Sequence, residues 1–170
     1  IGKSQTDTAK PARYRRLGQY AAVAIEKGAG TFEVAGSGAH EVAAGDVLLL
    51  TPLDACRYYP ARAWDTRWVV WNGPEAQTLA HLSGLNTGIP VVQGGALVVR
   101  NVWQQVAPLM DRQDFDAVLV RKLALLELIR DLLALRRLPS TATGAQFQEQ
   151  ALRHLGNGMG PERPEQVSAI

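Results

Sequence analysis

The sequence predicts a mainly β chain with a helical C-terminal part: a barrel or jelly roll followed by a helix pair. Three observations predict it. From about residue 17 to 95, short apolar segments are interrupted by Gly, Pro and Asp, the mark of many short strands. After about residue 96 the apolar period changes to that of a helix. The 170 residues, 46% apolar and 20% charged, suffice for one ordinary core plus an appendage.

Residues 1–16 form a polar arm ending in Arg13, Tyr14, Arg15 and Arg16, with nothing that predicts a stable element. Strands are expected near 19–26, 30–35, 39–43, 46–51, 56–59 and 65–71. Gly28-Ala-Gly30 opens a strand of alternating character, and Gly36-Ser-Gly38 supplies a hairpin turn. Gly45-Asp46 supplies the next turn; Val47-Leu-Leu-Leu50 is apolar at every position and suits a strand buried on both faces. In the stretch 64–71, Trp64, Thr66, Trp68 and Val70 share one face, while Asp65, Arg67, Val69 and Trp71 share the other. Six antiparallel strands of this length close most economically as a barrel or jelly roll, which removes exposed edges. Within 96–138, Val98, Val102, Val106 and Leu109 mark one helix, with Pro108 near its end, and a second runs from about 116 to 137. Residues 139–146 read as a linker, 147–155 as a short helix, and 164–170 as the first turns of another.

Composition excludes several function classes. A net charge of +2 is too small to coat a nucleic-acid backbone, so no dedicated basic module is present in this stretch. Cys56 stands alone and forms no internal disulfide, which points to a reducing, cytoplasmic setting. Residues 1–10 are polar and carry Asp7, unlike a secretory leader. The most apolar stretch, 118–138, contains Arg121, Lys122, Glu127, Arg130 and Asp131, so no membrane span is expected.

Catalytic chemistry finds little support. His40, His81 and His154 lie in three different regions with no His-x-His pair, so no metal site is expected. No nucleophile elbow appears, and Gly28-Ala-Gly30 precedes a strand where a dinucleotide loop would precede a helix. Cys56 beside Arg57 reads more simply as a structural cysteine than as a nucleophile. No cofactor and no catalytic set are expected.

The aromatic distribution points instead to binding. Tyr58, Tyr59, Trp64, Trp68 and Trp71 fall within fourteen residues. Core packing explains a tryptophan by default, yet a mouth lined by Trp and Tyr also offers a small ligand flat faces and fixed hydrogen-bond partners. Thr66, between two tryptophans on one face, would supply such a partner. The second helix is apolar on more than one stripe. Val118, Leu119, Leu125, Leu126, Ile129, Leu132 and Leu133 are expected to pack on the barrel. Val120, Ala124, Leu128 and Leu135, with Arg121, Glu127 and Asp131 between them, suit antiparallel self-pairing in a homodimer.

The strand region resembles the N-terminal sensor domain of AraC-type bacterial transcription regulators. The resemblance rests on Tyr20, Gly28-x-Gly30-x-Phe32-x-Val34, Ala44-Gly45-Asp46-Val-Leu-Leu-Leu50-Thr-Pro52, Cys56-Arg57-Tyr58, and Trp64-x-x-x-Trp68-Val-Val-Trp71-x-Gly73 in that order and spacing. It implies a cupin-like barrel over 17–95 that binds a small effector such as a sugar or small acid, with dimerisation helices over 96–138. It also implies an arm over 1–16 that folds over an occupied pocket, and a start of a helix-turn-helix DNA-binding domain over 147–170, truncated before its recognition helix. Ligand-binding roles then fall to Tyr58, Trp68 and Arg15 or Arg16. The family commonly carries histidine where Cys56 stands, and its sugar-binding form has histidine where Thr66 stands. Both changes shrink the hydrogen-bonding inventory, so a small, apolar or anionic effector is as compatible as a pentose. The alternatives are a small cupin enzyme and a ligandless structural dimerisation domain.

Overall fold

The computed structural model describes residues 1–6, 13–85 and 90–137. The elements are β1 (Gly2–Thr6), β2 (Arg15–Arg16), β3 (Tyr20–Val34), β4 (Gly38–Ala43), β5 (Val47–Leu50), β6 (Ala55–Trp71), α1 (Pro74–Ser83), β7 (Val91–Val92), α2 (Ala96–Val106), a 3-10 turn at Ala107–Leu109, and α3 (Phe115–Arg137). The architecture is the expected one: an antiparallel, cupin-like β-sandwich followed by helices. The expected linker at 139–146 and the tail at 147–170 lie outside the described residues.

Two long strands organise the sheet. One edge of β3 pairs with β6 from Tyr20↔Trp71 to Val34↔Cys56. Its other edge pairs first with β5, from Ala21↔Leu50 to Ala24↔Val47, and then with β4, from Ala29↔Ala43 to Val34↔Gly38. The outer edge of β6 is covered in turn by β1 and β2.

Each long strand joins two segments that the sequence suggests are separate. Register shifts between Ile25 and Lys27 and between Gly28 and Gly30 bend the β3–β6 ladder without ending it. The glycines serve this bend. Gly28 has φ +86°, and a Cβ on Gly30 would lie 2.2 Å from the Tyr59 carbonyl oxygen. The punctuation seen in the sequence is therefore a corner inside a continuous ladder.

Alternation along the strands sorts side chains into two cores. Ala21, Val23, Ile25, Phe32, Leu48, Leu50, Cys56 and Trp64 fill the inside of the sandwich. Tyr20, Ala22, Ala24, Val47, Leu49, Val69 and Trp71 face outward, into a second core with the helices. Val47–Leu50 is buried at all four positions because it contributes to both.

Four elements are not expected from the sequence: β1 and β2 form within the polar arm, α1 follows β6, and β7 precedes α2. α1 begins with Pro74, whose fixed φ suits a first helical turn. It ends on Gly84 at φ 67°, where the N–H groups of Gly84 and Leu85 bond to His81 O and Ala80 O.

α3 is turned differently from the expectation. Ala117, Ala124, Leu128, Ile129 and Leu132 are buried in the chain's own core, whereas Phe115, Leu119, Leu123 and Leu126 are exposed. Ile129 and Leu132 face inward as expected, but Leu119 and Leu126 exchange places with Ala124 and Leu128. Two stripes of similar apolarity leave periodicity undecided, and the stripe carrying Ala117 and Ala124 permits the closer approach of helix to core. Val120 and Leu135 are half-buried, Leu135 against the helix-side core. Arg121 donates from Nη1 to the carbonyls of Leu109 and Arg112, and Asp131 accepts from Arg130 at 2.7 Å. Both side chains thus have partners within the chain. Asp114 precedes α3, accepting the Ala117 N–H at 3.1 Å, and bonds from Arg112 hold its carboxyl down at about 2.

This packing predicts that Leu128→Ala costs about 2–5 kcal/mol in urea unfolding, the range for a fully buried leucine. Gly30→Ala should cost about 1–3 kcal/mol by overpacking.

Candidate functional site

The inside face of β6 carries the residues of interest. Its alternation turns Trp64, Thr66, Trp68 and Val70 toward the inner core, and Val69 and Trp71 toward the helices. Thr66 is 4% exposed, a buried polar side chain in an apolar wall. Its hydroxyl lies 2.9 Å from that of Ser4, directly opposite on β1. Two register positions further, Gly2 faces Trp68, and a Cβ there would fall 2.2 Å from the indole. β1 is therefore seated on Trp68, and only a residue without a side chain allows it to come so near.

Further along the same face stand three aromatic rings. Tyr58 lies 6.1 Å from Trp64 and 6.3 Å from Phe32, the latter edge to face at 66°. The Tyr58 hydroxyl accepts a 2.9 Å hydrogen bond from Arg15 Nη2, and the guanidinium carbon sits 5.5 Å from the ring centroid. Arg15 reaches Tyr58 from β2, where it pairs with Cys56. Arg16 pairs with Ala55, is exposed, and by alternation points away from this group. The structure thus brings together Arg15 and Tyr58, and on the same wall Thr66 and Trp68, but not Arg16. Phe32 and Trp64 join the first pair, and Gly2 and Ser4 the second.

On the outer face, Glu33 gathers three donors. Tyr14 Oη and Arg57 Nη2 each donate to Glu33 Oε2 at 2.8 Å, and Tyr59 Oη donates to Oε1 at 2.9 Å. The Arg57 guanidinium lies 4.6 Å from the Tyr14 ring centroid. Hydrogen bonds from Arg57, Tyr14 and Tyr59 hold the Glu33 carboxyl down at about 2. The same carboxylate raises Tyr14 and Arg57 above their ordinary values. A second outer cluster ties the sheet to α2: Arg100 and Arg67 reach Glu26 at 2.6 and 3.4 Å, and Arg67 lies 4.5 Å over the Trp103 ring.

The sequence model of the AraC-like ligand binding domain matches residues 3–154. The chain belongs to this family. A solved structure of ToxT from Vibrio cholerae is also similar, at 8% identity over 94% of this chain and 67% of that one, with a TM-score of 0.42. Comparison with curated proteins gives no match.

Cys56 is 3% exposed, and burial pushes its thiol up, away from a reactive thiolate. Among the described residues, no His, Cys, Asp and Glu side chains gather as a metal site, and no helix is long and apolar enough to cross a membrane. His154 lies outside the described residues. A recess of about 10 Å³ between Tyr20, Ala21, Leu49, Leu50, Thr51, Trp71 and Leu85 has room for one water at most.

Trp64 was legible in the sequence as a neighbour of Thr66 and Trp68 on one strand face. Gly2, Ser4 and Tyr14 were not, because residues 1–6 show no apolar alternation and a tyrosine among arginines carries no positional signal.

Glu33 titrates lower in the folded chain, at about 2, than its ordinary 4.5. Its network therefore contributes stability that is fully present above about pH 4.5 and is lost as pH falls toward 2. An NMR titration should place the Glu33 carboxyl midpoint near 2, with Tyr14 released at the same step.

Proposed function

We propose that this domain senses a small carboxylic acid with an apolar body, binding it against the inner face of β6. The observation that carries this reading is the Arg15–Tyr58 pair at one end of a wall that holds Phe32, Trp64, Trp68 and aliphatic side chains beside Thr66. A guanidinium fork recognises a carboxylate, and the rings offer apolar faces. Ser4 and Thr66 already satisfy one another, so a sugar with many hydroxyls would find few free partners. The reading is non-enzymatic, which the family and the buried Cys56 thiol support. It requires no cofactor and no metal.

The effector would act by shifting populations. Since β1 is seated on Trp68, an effector there must compete with β1 or reseat it, and the two placements of the arm are the states between which it selects. Within a longer cytoplasmic regulator, this choice would be passed through 139–146 to DNA-binding domains beginning at 147–170. α3 suits a homodimer, with a contact stripe of Phe115, Leu119, Leu123 and Leu126. Glu127 is exposed beside this stripe, while Ala124 and Leu128 support it from beneath.

Isothermal titration with phenylacetate and its amide tests the site. The acid should bind at least about tenfold more tightly than the amide, the scale of one charge-assisted hydrogen bond, and Trp68→Ala should weaken both by removing part of the apolar wall. Equal affinities, or full affinity in Trp68→Ala, would overturn the reading. In sedimentation, Leu123→Glu with Leu126→Glu should give a monomer.

A further inference from the structure

We infer that Glu33 is a positioning residue for the barrel mouth: from the outer face of β3 it holds Tyr14, and through Tyr14 it sets Arg15 on Tyr58. The inference rests on the reading of Arg15 and Tyr58 as effector-binding groups.

Arg15 is exposed and long, and an unanchored side chain of that kind samples many rotamers. The ladder beneath it has only two steps, Arg15↔Cys56 and Arg16↔Ala55, too few to hold a strand in place alone. What holds the segment is its neighbour. Tyr14 donates to Glu33 at 2.8 Å while its ring rests on the Arg57 guanidinium. Adjacent residues of an extended segment point to opposite sides, so Tyr14 gripped outside leaves Arg15 directed inside. Glu33 is itself aimed by Arg57, its register partner on β6, and by Tyr59 two residues on.

Glu33 has no direct access to an effector. Its chain neighbours Phe32 and Val34 line the inner core, which places the carboxylate on the opposite surface. Bonds to an ionised carboxylate are also stronger than neutral ones, so a single acidic group can fix a segment that β-pairing leaves loose.

The chain's single cysteine reports on the segment. Cys56 pairs with Arg15 and is 3% exposed, so a pyridyl disulfide reagent should reach it faster when β2 lifts away. Glu33→Gln and Tyr14→Phe should each speed its modification by about tenfold, the effect of losing one hydrogen bond to a charged group. Thermal unfolding monitored by circular dichroism checks that both variants remain folded. Both should also weaken phenylacetate binding, and in an Arg15→Gln background Glu33→Gln should cost no further affinity, because its effect runs through Arg15. Unchanged Cys56 rates in both variants would overturn the inference, as would additive affinity losses in the double variant. If the wild-type domain binds no phenylacetate, the small-acid reading fails, and the Cys56 rates alone decide whether Glu33 holds the segment.

Discussion

Pairing of β3 with β6 runs from Tyr20↔Trp71 to Val34↔Cys56, and side chains alternate along both strands, so this one ladder decides what faces the inner core and what faces the helices. A slip of one residue would turn Trp64, Thr66 and Trp68 outward and bring Asp65 and Arg67 inside. The inner aromatic wall, the seat of β1 and the docking of α2 all presuppose the register. The corner at Gly28 and Gly30 lets the same two strands serve both halves of the sandwich.

The charged residues of this AraC-like domain follow the same division. Glu33 with Arg57, and Glu26 with Arg67 and Arg100, stand on outer surfaces one residue away from inward-facing side chains. Each cluster fastens something to the sheet: the first the segment before β2, the second helix α2. Besides hydroxyls and the reach of Arg15, the inner face carries His40, which stands opposite Phe32 with its Nε2 buried.

Much of this was legible in the sequence. The period-two face of Trp64, Thr66 and Trp68 and the doubly buried Val47–Leu50 follow from pattern alone. Glycine and proline, by contrast, mark departures from regularity without saying whether a strand ends or bends, and so the pattern divides two long strands into four short ones. The inward face of α3 is hidden from the sequence for another reason. Hydrophobicity counts a leucine above an alanine, whereas close packing favours Ala117 and Ala124 at the contact and leaves Leu123 and Leu126 outside. β1 was illegible because its inward residues, Gly2, Ser4 and Thr6, are chosen for small size against Trp68, Thr66 and Trp64 rather than for apolarity.

The seating of β1 on β6 has a consequence for the order in which the domain assembles. Ser4 and Thr66 are separated by 62 positions, so β1 has no partner until nearly all the other described strands of the sheet have been synthesised. On a ribosome adding about 5–20 residues per second, residues 2–6 wait several seconds before their docking edge exists. Of the described strands, the first to be made is thus among the last to join, and it closes over an interior whose aromatic wall is already in place.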